Sequence, residues 1–130
     1  MTVESFDPGA LNKTLNADTI SQLLALADCD FEQALTVSAE DAEQLAFTAR
    51  HDGWATQAGA LDDQQLVQLA QFYTLAEQQL GGWRADDKSP VIALVRELKK
   101  RQRFDGQLRK WIKANTDNKF LPHGNLADLL

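Results

Sequence analysis

Histidine and cysteine are the residue types best suited to catalysis at neutral pH, and this chain has few of them. The two histidines are His51 and His123, and the single cysteine is Cys29. Histidine is the commonest general base, but it needs a partner group within hydrogen-bond distance. Asp52 follows His51 directly, and adjacent residues of a helix point about 100° apart, so this pair is not an orienting dyad by sequence alone. We therefore predict no catalytic residue.

Metal and cofactor sites are equally poorly represented. The carboxylates of Asp28 and Asp30 flank Cys29 and disfavour the thiolate, so we expect Cys29 to be a half-buried, inert small residue. The acidic spacing over residues 28–32 matches the first ligands of a calcium loop, but the glycine and the final glutamate of that loop are missing. One cysteine and two distant histidines do not supply a structural zinc site. Glycine-rich phosphate loops are also absent, and we predict no metal and no cofactor.

Positive charge is concentrated at one end of an acidic chain. The 130 residues have 13 basic and 19 acidic side chains, a formal net charge of −6. Residues 1–88 hold 15 acidic and 4 basic side chains, a net charge of −11, whereas residues 89–130 hold 4 acidic and 9 basic, a net charge of +5. Such asymmetry indicates either a polyanion-binding end or two ends that attract each other.

The basic residues fall on two consecutive predicted helices, which begin at Ser89 and at Asp105. Clustered cations on a helical pair can contact phosphate groups, as in a helix-turn-helix variant. Cations are also favoured at helix C-termini, so a solvated face without function is the alternative. The candidate partner or polyanion surface consists of Arg96, Lys100, Arg103, Arg109 and Lys113.

A charge-poor helix is the second candidate interaction surface. From Gln64 to Trp83 the only charged residue is Glu77. Exposed helix faces usually carry charges, so this helix is predicted to be covered, either by other helices of the chain or by a second copy. We predict a homodimer, the commonest symmetric assembly, which Leu75→Glu would split with little loss of helicity. The predicted dimer face consists of Gln68, Gln71, Leu75 and Gln78.

The elements that position these residues are all predicted to be helices. Apolar residues recur at i, i+3, i+4 and i+7 in five segments, and alternation with period two is nowhere sustained. The predicted helices begin near Asn16 and at Ser38, Asp62, Ser89 and Asp105, and the second and third end at Gly53 and at Gly81-Gly82. The fold is therefore predicted to be all-α, a compact single-domain bundle of about five helices with an ordered C-terminal tail.

The bundle is predicted to occupy residues 16–116. Residues 1–15 are predicted to be an N-terminal tail, and residues 117–130 a C-terminal tail with a type I turn over 121–124 and a short last helix. The side chains expected to be largely buried anchors are Trp54, Trp83 and Trp111.

The first residues and the cysteine usage bear on the compartment. Residues 1–8 lack the basic and apolar stretches of a secretory signal, and no apolar stretch approaches the ~20 residues that span a bilayer. A single cysteine fits a reducing interior. We expect a cytoplasmic protein without a membrane partner.

Three function hypotheses follow. The first is a non-enzymatic helical protein-interaction or regulatory module that acts on another protein, whose identity the residues do not reveal. The alternative is a nucleic-acid-associated protein that uses the basic surface of the fourth and fifth predicted helices. The third, a small-molecule enzyme, would need a pocket that brings a histidine to a carboxylate.

Overall fold

Six α-helices and two short 3-10 helices make up the regular structure of the described part of this protein. The structure is a computed structural model, which describes residues 15–118, 120 and 121. In chain order the α-helices are α1 (Ala17–Leu26), α2 (Ala39–Leu45), α3 (Trp54–Ala58), α4 (Asp63–Gln79), α5 (Pro90–Lys100) and α6 (Gly106–Asn115). The 3-10 helices are Ala46–Arg50 and Asp86–Lys88. No strand forms among the described residues, and the prediction of an all-α fold is confirmed.

Five of the six described α-helices, all except α3, begin where a short side chain accepts a hydrogen bond from a backbone N–H of the first turn. Before α4, Asp62 Oδ1 accepts from the N–H of Gln65 at 2.7 Å, and Gln65 Oε1 accepts from the N–H of Asp62 at 3.0 Å. This reciprocal pair is a complete capping box. Ser89 caps α5, which has Pro90 at its first position. These local signals explain why the predicted starts agree with the structure.

The core is built around α4, which packs mainly against α5 and also against α6 and α1. Four aromatic rings meet at its centre with centroids 5.4–5.9 Å apart, and all are almost fully buried. They belong to Trp54, Phe72, Tyr73 and Trp83. Both indoles also donate hydrogen bonds, Trp54 Nε1 to the carbonyl of Thr48 and Trp83 Nε1 to the carbonyl of Ala42, at 2.8 Å each. The predicted burial of Trp54 and Trp83 is confirmed.

The second predicted helix, from 38 to 53, is wrong in length. It stops as α2, tightens into the first 3-10 helix, and is followed by a separate helix, α3, that the sequence did not predict. The hydroxyl of Thr48 donates to the carbonyl of Leu45 at 2.7 Å, and the Thr48 carbonyl accepts from the indole of Trp54. The carbonyls of Leu45 and Thr48 thus accept hydrogen bonds from side chains. The chain therefore turns before Trp54, and the predicted helix does not continue to residue 53.

α3 and α5 lie side by side and run in the same direction. Trp54 at the start of α3 lies beside Pro90 and Ile92 at the start of α5. At the other end, Arg101 donates to the carbonyls of Ala58 and Gly59, each at 3.3 Å. The N-terminal ends of both helices therefore open onto the same part of the surface.

A Schellman motif ends α5. Gln102 has a positive φ of 61°, its N–H donates to the carbonyl of Lys99, and the N–H of Arg103 donates to the carbonyl of Leu98 at 2.8 Å. Glycine is the usual residue at this left-handed position, because it has no Cβ to clash. The reversal carries Arg103 back toward the start of α4.

The remaining predictions have mixed outcomes. Trp111 is only half-buried, because its ring packs edge-on against Phe31, with centroids 6.3 Å apart, at the surface of the bundle. Leu121 is buried against the core, whereas the predicted turn and last helix of the C-terminal tail lie outside the described residues. Leu15, assigned to the N-terminal tail, is buried in the core cluster as well.

None of the described helices has the length and apolar character needed to cross a bilayer.

Candidate functional site

His51 and Asp52 do not form a catalytic pair. His51 Nδ1 lies 3.9 Å from Asp52 Oδ1, beyond hydrogen-bond distance. The same nitrogen accepts the backbone N–H of Gly53 at 2.9 Å, so it is engaged in the turn that precedes α3. His123, the other candidate base, lies outside the described residues.

The acidic run around Cys29 forms a surface turn. Asp30 Oδ1 accepts from the N–H of Glu32 at 2.9 Å. Cys29 is exposed, not half-buried as predicted, because the loop after α1 lies on the outside of the bundle. Partial desolvation and the carboxylates of Asp28 and Asp30 raise the pKa of its thiol, which keeps it protonated. Among the residues that the structure describes, no group of three potential ligands could hold a metal ion.

The basic residues of the fourth predicted helix form one exposed face. We call this face the α5 ridge and define it as Arg96, Lys99, Lys100 and Arg103, whose side chains are all exposed. The opposite face of α5 carries the buried residues Val91, Val95 and Leu98, as the spacing predicted. Within the described ranges neither Arg96 nor Lys100 forms an ion pair. Arg96 and Lys100 therefore present charges that no carboxylate of the described residues pairs.

The end of the ridge nearest α4 is partly neutralised. Arg103 Nε lies 3.3 Å from Asp63 Oδ2. Arg101, which points away from the ridge, pairs with Asp63 at 3.0 Å and with Glu97 at 2.8 Å. The Arg103 pair is solvent-exposed, so it contributes little to stability, and a partner carboxylate could replace it at little cost.

The cations of α6 do not continue the α5 ridge. Arg109 and Lys113 are half-buried, and both have interactions within the chain. α6 packs against α4, whereas its contacts with α5 are few. The predicted basic surface is therefore exposed on α5 and half-buried on α6, and the two helices do not present it as one continuous face.

The chain itself covers part of the predicted dimer face, although Gln78 is exposed. Leu75 is only 6% exposed. Gln68 Nε2 donates to the carbonyl of Ala27 at 2.9 Å, and Gln78 Nε2 donates to Asp117 Oδ1 at 3.0 Å. Gln71 is half-buried. The segments that follow α1 and α6 therefore account for the missing charges of α4, and they remove the observation on which the predicted dimer rested.

A surface cleft lies between the N-terminal ends of α3 and α5. Its volume is about 170 Å³, and it is open to solvent. Trp54, Ile92 and Ala93 contribute apolar atoms, and Arg96 of the α5 ridge stands at its edge. The sequence analysis missed this cleft because it did not predict α3. The signal that could have indicated it is a tryptophan that directly follows a glycine at a helix start.

A buried polar cluster surrounds Glu77, the one charged residue of the long α4 stretch. Its carboxylate is 5% exposed and accepts hydrogen bonds from the hydroxyl of Ser89, the backbone N–H of Ala85 and the amide of Asn118. Burial raises the pKa of Glu77, although these hydrogen bonds and Arg84 act in the opposite direction. The cluster links α4, the start of α5 and the segment after α6. Its role is therefore structural.

Comparisons with known protein families, with curated proteins and with solved structures found no match to this chain.

Proposed function

We propose that this chain is a non-enzymatic helical module that binds another protein through the α5 ridge. The observation that carries the proposal is the exposure of Arg96 and Lys100, which form no ion pair within the described part of an otherwise acidic chain. Basic and acidic surfaces attract each other and orient encounters between proteins. An acidic segment of a partner is the complementary surface.

A protein partner is favoured over nucleic acid by the charges around the ridge. Asp63 contacts its far end, and the acidic residues Asp52 and Asp87 line the cleft at its near end. Residues 1–88 carry a net charge of −11, which repels a long polyanion. The cations of α6, which a helix-turn-helix reading requires, lie on a helix that has few contacts with α5.

The proposed compartment is the cytoplasm. The single cysteine, Cys29, is exposed, and reducing compartments keep exposed thiols free.

The homodimer remains a prediction, and it now requires a surface other than the one around Leu75.

The experiment is affinity capture from an extract of the source cells, with two variants that change the charge equally. Lys100→Glu reverses the centre of the ridge, and Lys110→Glu reverses an exposed lysine of α6. We expect a protein that the unchanged chain and Lys110→Glu retain and that Lys100→Glu loses. Nuclease-sensitive capture of nucleic acid, or a set of bound proteins that Lys100→Glu leaves unchanged, would contradict the proposal.

A further inference from the structure

The cleft beside the α5 ridge has a fixed direction. Asp52, Asp87 and Lys88 line it from the segments just before α3 and α5, and Arg96 lines it from the middle of α5. Because a helix rises about 1.5 Å per residue, Lys100 lies about 6 Å further along α5 than Arg96. A ligand that fills the cleft and extends along α5 therefore leaves a lining of mixed charge and reaches the cations of the ridge.

The floor of the cleft is apolar, whereas the rest of its lining includes the polar side chains of His51, Asp52, Asp87, Lys88 and Ser89. Trp54 and Ile92 lie beneath it, almost fully buried, and the exposed Ala55 stands at its mouth. The indole N–H of Trp54 is already bonded to the carbonyl of Thr48, so it presents no unsatisfied donor to a ligand. An enclosed apolar cavity of about 150 Å³ accepts a benzene ring. The volume of about 170 Å³ therefore suits one side chain of leucine or phenylalanine size.

We propose that the cleft between α3 and α5 holds one apolar side chain of an acidic partner peptide, whose carboxylates then lie along the α5 ridge. The inference rests on the proposed function and deepens it, because it defines the partner's recognition sequence as an apolar anchor with acidic residues on one side. Arg96 belongs to both the cleft and the ridge, so the two contacts are continuous. A nucleic acid has no apolar side chain to offer the cleft.

The test is selection of a random displayed peptide library on the intact chain, followed by titration of a selected peptide. We expect selected sequences with one leucine, isoleucine, phenylalanine or methionine and acidic residues to one side of it. Ala55→Phe fills the mouth of the cleft, and Ala114→Phe makes the same change at an exposed alanine of α6. Ala55→Phe should weaken the selected peptide at least about tenfold, as loss of one buried apolar side chain implies, whereas Ala114→Phe should not.

The outcomes separate the two proposals. Acidic peptides without an apolar anchor, bound equally well by Ala55→Phe, would overturn the cleft and leave the ridge standing. Selected peptides without acidic residues, whose binding Lys100→Glu does not change, would overturn the proposed function and with it this inference. Failure to select any peptide would overturn the cleft. A DNA duplex that displaces the selected peptide in low salt would overturn both in favour of nucleic acid.

Discussion

The α5 ridge and the Glu77 cluster use charge in opposite ways. Arg96 and Lys100 of the ridge are exposed and form no ion pair within the described residues, whereas Glu77 is 5% exposed and accepts three hydrogen bonds, two from the loop before α5 and one from the segment after α6. An exposed charge contributes little to stability and remains available to a partner. A buried carboxylate must be hydrogen-bonded or it destabilises the fold. This difference supports the proposal that the ridge binds a partner, and it gives the Glu77 cluster a structural role.

The largest effect is expected where a new charge is placed in the core without partners. Leu75→Glu puts a carboxylate at a position that is 6% exposed, and we expect a loss of about 3–5 kcal/mol in the free energy of unfolding. Urea unfolding followed by circular dichroism measures this loss, with the exposed Gln64→Glu on the same helix as control. A stable, helical Leu75→Glu chain that is monomeric where the parent is dimeric would restore the α4 dimer face.

The next largest effect concerns Glu77. Glu77→Ala leaves the hydroxyl of Ser89, the N–H of Ala85 and the amide of Asn118 without their acceptor, and we expect a loss of about 2–4 kcal/mol. Glu77→Gln keeps an oxygen acceptor and offers an N–H to Ser89, so it should be tolerated far better. Equal losses in the two variants would contradict a hydrogen-bonding role.

The same pair of variants gives a pH dependence. Because the pKa of Glu77 is raised in the folded state, the folded chain retains a proton that the unfolded chain has already released. The contribution of Glu77 to stability is therefore greatest below the ordinary pKa of a glutamate, and it decreases as pH rises through the raised value. Unfolding measured across this range should show less decrease in Glu77→Gln, and parallel curves for the two chains would contradict the raised pKa.

A smaller effect is expected at the end of the ridge. Gln102 holds a left-handed conformation with φ of 61°, and Gln102→Gly should stabilise the fold by about 1 kcal/mol, since glycine adopts it without strain. Thermal unfolding measures the gain. The matched control is Gln107→Gly in the first part of α6, where glycine should destabilise by a similar amount. A loss of stability in Gln102→Gly would mean that the glutamine side chain makes a contribution of its own.

The parts of the fold that depend on neighbouring residues could be predicted from the sequence. Asp62 with Gln65, and Ser89 with Pro90, determine helix starts through contacts three residues apart or fewer. The start of α3 could not be predicted, because it involves a hydrogen bond from the indole N–H of Trp54 to the carbonyl of Thr48, which no helical spacing indicates.

The candidate site was only partly predictable for a related reason. The spacing of Arg96, Lys100 and Arg103 was sufficient to predict an exposed basic face. The glutamines of α4 are engaged by hydrogen bonds between residues more than 40 positions apart, such as Gln68 with Ala27 and Gln79 with Leu35. No helical period encodes such pairings, so the charge-poor stretch of α4 was interpreted as a dimer face.

The most direct test of the account measures binding and stability on the same samples of an Arg96→Gln/Lys100→Gln double variant. Both side chains are exposed, so the free energy of unfolding should change by less than about 0.5 kcal/mol. Binding of a selected acidic peptide should weaken by about tenfold or more, as the loss of two charge contacts implies, whereas Lys110→Gln should leave it unchanged. Unaltered binding in the double variant, or weaker binding that accompanies unfolding, would contradict the claim that the ridge is a binding surface separate from the fold.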